Sequence, residues 1–148
     1  NLNNKEFKYL LGDKGFNLES DEFEKHLTEK CTSEDGGDKI GIAMTPQLQA
    51  VPRTIGHYPM LITVTGTCCK CLNGKVRYDA SGFFMISHLY HYNAKTHRTR
   101  DNEISVTLVR WANFLFSAGG KDFMVKSKMV RFTASRECYG ESKLDIKW

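Results

Sequence analysis

No stretch of the 148 residues is apolar for long enough to cross a bilayer. Even the greasiest run, 82–92, is interrupted by Ser87, His88 and His91, whereas a spanning helix needs about 20 largely apolar residues in succession. A soluble chain without membrane contact is therefore expected. A charged start followed by an apolar stretch and a small-residue cleavage site is also missing, so no secretory leader is read. Catalytic signatures are absent too. The sheet-forming half has no nucleophile elbow, glycine-rich phosphate loop or paired carboxylates. Its acids are few and isolated, so neither an enzyme nor a cofactor is expected. Cysteine is odd in number, at five, and three of them (Cys68, Cys69, Cys71) crowd where they could not easily bridge one another. That pattern predicts reduced thiols rather than a disulfide framework, and so the cytosol or nucleus.

What is present is enough for one ordinary domain with a proper core, at 41% hydrophobic and 11% aromatic content. The net charge of +4 is unevenly spread. Residues 1–40 carry six lysines against ten acids, a net of −4, and residues 87–136 carry nine cations against three acids, a net of +6. A basic second half attracts phosphate or an acidic protein surface, unless the acidic start neutralises it in cis.

Residues 1–40 read as a polar segment with one short amphipathic helix, 20–31, opened by the Ser20 cap and the acids Asp21, Glu22 and Glu24. Phe23, His26, Leu27 and Lys30 would share a face of it. The run 33–38 reads as a flexible, solvated loop. Residues 41–136 read as an antiparallel sheet domain and 137–148 as a C-terminal tail. In the first strand, 60–71, Leu61, Thr63, Thr65 and Thr67 face one way and Ile62, Val64 and Cys68 the other, with a bulge at Gly66. Asn73-Gly74 predicts a type I′ turn into 75–79. Ser81-Gly82 breaks or kinks the chain before a strand at 83–92. A third strand is predicted at 104–116, a hairpin turn at 117–120 and a fourth strand at 123–133. In the fourth, Phe123, Val125, Met129 and Arg131 lie on one side, and Met124, Lys126, Lys128, Val130 and Phe132 on the other. The fold class is thus α+β, a strongly twisted antiparallel sheet with N-terminal helical cover, to which 40–51 would contribute.

Four stretches resemble the nuclear transport factor 2-like domain of nuclear RNA export factors. Ala50-Val51-Pro52-Arg53-Thr54 with His57 is similar to the family's Leu-Pro-Lys-Thr segment and nearby histidine. Residues 83–92 look like the next family strand, and 109–116 fall where the family has an aromatic-rich strand. Residues 123–135, ending in Ala134-Ser135, look like its closing strand. Lys126-Ser127 replaces the usual Asn-Asp, the family's long first helix is not recognisable, and the insertion around 68–79 lengthens a hairpin. The resemblance implies a non-catalytic domain that heterodimerises, sheet against sheet, with a small partner of the same fold called NXT. It also implies an apolar pocket for nucleoporin phenylalanine-glycine repeats, and a nuclear role, shuttling to the cytoplasm, in RNA export or small-RNA-guided transposon silencing.

The expected partner interface is Arg110, Phe114, Phe116, Phe123, Val125, Met129 and Arg131. Arg110, alone in an apolar strand, suits an ion pair across that interface. The bland reading of the aromatics is core, but apolar residues fall on both sides of several strands, which argues for a partner. Lys95, Arg98, Arg100, Lys126 and Lys128 are candidates for nucleic-acid contact, with Tyr90, Tyr92 and Trp111 for stacking; the alternative is a solvated face whose lysines protect an edge. Cys68 and Cys71 with His88 and His91 have zinc-like spacing. Strand alternation splits each pair between two faces, so no metal is expected. The competing function is a small zinc-binding or basic nucleic-acid-binding module, of viral type.

Overall fold

The computed structural model describes residues 2–11, 16–49, 57–90 and 123–148. The protein is α+β. Two helices, α1 (Asn4–Leu11) and α2 (Asp21–Lys30), precede β1 (Asp38–Met44), β2 (Gln47–Gln49), β3 (His57–Lys70), β4 (Val76–Tyr90), β5 (Phe123–Lys126), β6 (Val130–Arg136) and β7 (Ser142–Lys147). The chain forms two compact units. One takes Asn1–Phe16, Pro46–Met60 and Ile86–Lys128; the other takes Asn17–Thr45, Leu61–Met85 and Met129–Trp148. The third predicted strand, 104–116, and the 117–120 turn fall outside the described residues.

The second unit is built on five strands in the order β1-β3-β4-β6-β7. Helix α2 forms where its cap predicts. The Ser20 side chain accepts from the Phe23 N–H, acids fill the first turn, and the Cys31 N–H donates to the Leu27 carbonyl at the other end. Phe23 and Leu27 are fully buried, while His26 is half-buried and Lys30 exposed, so the apolar stripe is narrower than expected. Along β3 the two faces separate as the alternation requires. Ile62, Val64 and Cys68 are buried, and Leu61, Thr65 and Thr67 exposed.

Several local expectations are corrected. Gly66 makes no bulge against β1, which pairs with β3 without interruption from Asp38↔Cys68 to Met44↔Ile62. Ser81-Gly82 does not break the chain, because β4 runs through it in continuous register with β6, from Tyr78↔Arg136 to Phe84↔Val130. Both glycines are there for space. A Cβ on Gly66 would collide with the Asp79 carbonyl, and one on Gly82 with the Thr63 carbonyl, on the neighbouring strand. The hairpin turn is not type I′ either: Gly74 has φ +84° and no other residue of the turn has positive φ. The Gly74 N–H donates to the Cys71 carbonyl at 3.0 Å and the Cys71 N–H to the Lys75 carbonyl at 2.7 Å. That is a three-residue loop with glycine in the left-handed position. Residues 137–148 are no tail, since β7 pairs with β6 throughout and Trp148 packs edge-on against Phe84 with ring centroids 5.8 Å apart. Residues 38–44 add an edge strand to the sheet rather than a cover.

The first unit holds an unexpected helix, α1. Asn3 and Glu6 cap it reciprocally: the Glu6 N–H donates to Asn3 Oδ1 at 2.9 Å and the Asn3 N–H to Glu6 Oε2 at 3.2 Å. Phe7 and Leu10 are buried on its inner side. Here β2 pairs with the start of β3, and β5 with the end of β4. The predicted single strand 123–133 is two strands with an extra residue between them. Ser87 pairs with Lys126, yet Phe84 pairs with Val130, so three residues, 127–129, face two. This β-bulge reverses the alternation. Val125 and Ser127 are buried before it and Val130, Phe132 and Ala134 after it, while Met129 and Arg131 point to solvent. Of the residues expected on one face, Val125 is thus buried while Met129 and Arg131 are exposed. Ser127 makes the bulge by taking a place in the ladder. Its hydroxyl accepts from the Ile86 N–H at 2.8 Å, and its own N–H donates to the Ile86 carbonyl at 3.0 Å. Ser127→Ala leaves the buried Ile86 N–H unmatched and should cost about 1–3 kcal/mol in a urea titration. A loss below a few tenths would show that water replaces the hydroxyl.

Candidate interaction surface

The inner face of the second unit is fastened to α2 by a polar cluster inside an apolar surround. The Tyr78 hydroxyl donates to Glu19 Oε1 at 2.8 Å. Arg136 grips Glu24 through both guanidinium ends, at 2.6 and 3.3 Å, donates its Nε–H to the Val76 carbonyl at 3.0 Å, and lies over the Tyr78 ring at 5.2 Å. The Ser142 hydroxyl donates to the same Glu19 oxygen, and Phe23 meets Tyr78 edge-on at 5.4 Å. These contacts hold α2 and its cap against the sheet. Burial, then the hydrogen bond to Glu19, pushes the Tyr78 phenol well above its ordinary 10.0.

The raised phenol has a stability consequence. A group whose folded pKa exceeds its unfolded value contributes fully below the unfolded pKa and loses that contribution above it. Stability should therefore hold below about pH 10 and fall at higher pH, and Tyr78→Phe should flatten the fall. Urea midpoints across the alkaline range, with Cys69→Ser in both chains to prevent thiol exchange, make the measurement. Equal slopes would remove Tyr78 as the cause.

The cysteines overturn the sequence reading. Cys31 is bridged to Cys68, 37 residues on, with Cα atoms 5.6 Å apart. Cys71 is bridged to Cys138, 67 residues on, with Cα atoms 5.9 Å apart. The crowded cysteines do not pair with one another, but two of the three, Cys68 and Cys71, are bridged to distant segments. Cys31 lies at the C-cap of α2 and Cys138 between β6 and β7. β3 ends at Lys70, so Cys71 leaves strand geometry and turns inward. Cys69 stays free and half-exposed. The zinc alternative through Cys68 and Cys71 falls, since both sulfurs are committed to separate bridges. Among the described residues no group of three or more His, Cys, Asp or Glu could hold a metal. The His88 side chain and His91 lie outside them.

The outward face of the same sheet is exposed at Thr65, Thr67, Asp79, Ser81, Arg131, Thr133, Lys143, Asp145 and Lys147. Residues directly opposite share a face, which gives three outward rows: Phe83, Arg131 and Lys147; Ser81, Thr133 and Asp145; Asp79, Ser135 and Lys143. Thr63, Thr65 and Thr67 continue it on β3, opposite Ala43, Gly41 and Lys39 of β1. The centre is a bed of short hydroxyl side chains. Leu61, 37% exposed, and Met129, 53% exposed, are its large apolar side chains in the open. Arg131 stands directly opposite Lys147, a like-charge pair that a sheet does not favour on its own account. No family profile, curated protein or solved structure matches this chain.

Of the expected partner residues, Met129 and Arg131 are exposed in the second unit, whereas Val125 is buried in the first. Arg110, Phe114, Phe116 and the Phe123 side chain lie outside the described residues, as do Lys95, Arg98, Arg100, Tyr92 and Trp111. Lys126 and Lys128 are exposed in the first unit. The hydroxyl residues of β4 and β6 were not singled out. Their signal was available, because Ser81, Thr133 and Ser135 alternate with buried Ala80, Phe132 and Ala134.

Proposed function

We propose that this is a non-catalytic protein-interaction domain of the nuclear transport factor 2-like kind, which holds a protein partner against the outward face of the second unit's sheet. The observation that carries the reading is the contrast between the two faces. The inner face is closed by α2 and its polar clamp. The outer face is exposed along β6 and β7 and rich in hydroxyls, with Arg131 and Lys147 directly opposite each other for an acidic partner. The two bridges favour an oxidising compartment as the place of action.

The resemblance to nuclear RNA export factors supports a second reading. In it the partner is an NXT-type protein, and the domain serves RNA export or small-RNA-guided silencing, with nucleoporin repeats and RNA as further ligands. Co-expression with an NXT-type protein, followed by size-exclusion chromatography with light scattering, tests it. A one-to-one complex that Arg131→Glu disrupts supports both the outward face and the nuclear reading. A chain that ignores this partner removes the nuclear reading. Thiol counting separates the compartments: one reactive thiol in denaturant, out of five cysteines, is expected from the bridged protein, and five would place it in a reducing compartment.

A further inference from the structure

Strand β7 ends the five-strand order. β6 lies on one side of it and, among the described residues, no strand lies on the other. Residues 141–145 and 147 are exposed, Leu144 to 40%. An open edge is a row of unpaired N–H and C=O groups that another strand can fill. The residues along this edge, Glu141-Ser142-Lys143-Leu144-Asp145-Ile146-Lys147, are related by charge inversion about Leu144: Lys143 mirrors Asp145, and Glu141 mirrors Lys147.

We propose that a second copy of this chain docks on β7, the two strands antiparallel and Leu144 opposite Leu144 on a two-fold axis. The two sheets then continue into one. In this register Lys143 faces the partner's Asp145 and Glu141 faces the partner's Lys147, and the symmetry makes each pair twice. All four pairs lie on the outward face. On the inner face Leu144 meets its own copy, and Ser142 meets the partner's Ile146. The nearest registers that keep the faces matched both fail. Shifted one way, Asp145 meets Asp145 and Lys143 meets Lys147; shifted the other way, Lys143 meets Lys143 and Glu141 meets Asp145. Like charges directly opposite are destabilising, so charge selects one register. Within one copy Lys147 Nζ reaches Asp145 at 2.7 Å with both side chains about two-thirds exposed, a pair that is easily exchanged. An edge meant only to repel other strands would carry charge of one sign. This edge alternates sign in the one pattern that fits itself.

Sedimentation analysis of the whole chain across the micromolar range tests the dimer. Wild type should associate. Lys143→Asp alone and Asp145→Lys alone should each weaken association on the order of tenfold or more, and the double variant K143D/D145K should restore it. In a Cys69→Ser background, Leu144→Cys should give a disulfide-linked dimer on mild oxidation, which reads the register directly. These side chains are exposed, and an unchanged near-ultraviolet dichroism spectrum checks the fold of each variant. A chain that stays monomeric throughout, single variants that associate like wild type, or a double variant that fails to recover would each overturn the proposal.

Discussion

Replacing both Cys71 and Cys138 by alanine should cost about 4 kcal/mol, the entropy a cross-link removes from an unfolded loop of this length. The bridge closes 67 residues, against 37 for Cys31–Cys68, and because the cost rises only with the logarithm of loop length, the second pair should come close behind. For a domain whose total stability is about 5–15 kcal/mol, either loss is a large fraction. Equilibrium urea unfolding with and without reductant makes the measurement. A loss under about 1 kcal/mol would mean that contacts in the reduced unfolded chain already hold the loops together. The consequence for function follows from the positions of the bridges. One ties the end of α2 to β3, and the other ties the β3–β4 turn to the segment between β6 and β7. Reduction would therefore loosen the helix that closes the inner face and the strand that ends the sheet among the described residues.

Gly82→Ala should be nearly as damaging, at about 3 kcal/mol, because the new methyl group has no free volume to enter. It would meet the Thr63 carbonyl oxygen and the Val64 backbone, and neither can swing aside as a flexible side chain would. Gly66→Ala meets the Asp79 carbonyl in the same way. Gly41→Ala is the control, since nothing lies within 4 Å of its Cβ position. It should be neutral or slightly stabilising, by up to about 1 kcal/mol, as glycine in a strand loses more freedom on folding than alanine. Thermal or urea unfolding of the three variants gives the ranking. If Gly82→Ala falls within about 1 kcal/mol of wild type, β3 and β4 separate more easily than their packing implies. The outward face depends on this close approach, since the rows containing Thr63, Thr65 and Ser81 belong to the same two strands.

Helix α1 was missed although Asn3 and Glu6 stand at capping-box spacing, because the polar composition of 1–40 masked the short apolar stripe of Phe7 and Leu10. The strand at 123–133 was read in one piece because its alternation looks continuous; Ser127 makes the break by bonding Ile86, which no local pattern announces. Ser81-Gly82 was read as punctuation, yet the glycine serves a neighbouring backbone nearly twenty residues away in sequence.

What the sequence determined by itself was local. The Ser20 cap and first-turn acids set α2, the alternation of Ile62, Val64 and Cys68 with Leu61, Thr63 and Thr65 set the two faces of β3, and β-branched and aromatic residues set the α+β class. These depend on periodicity and capping within a few residues, so they can be read without knowing what lies nearby. Only the tertiary structure decided the pairing of Cys31 with Cys68 and Cys71 with Cys138, the clamp of Arg136 on Glu24, and the exposure of β7 as an edge. Each joins segments far apart in the chain, and the distance between two side chains across such a gap is set by the strand order and register that the whole fold selects.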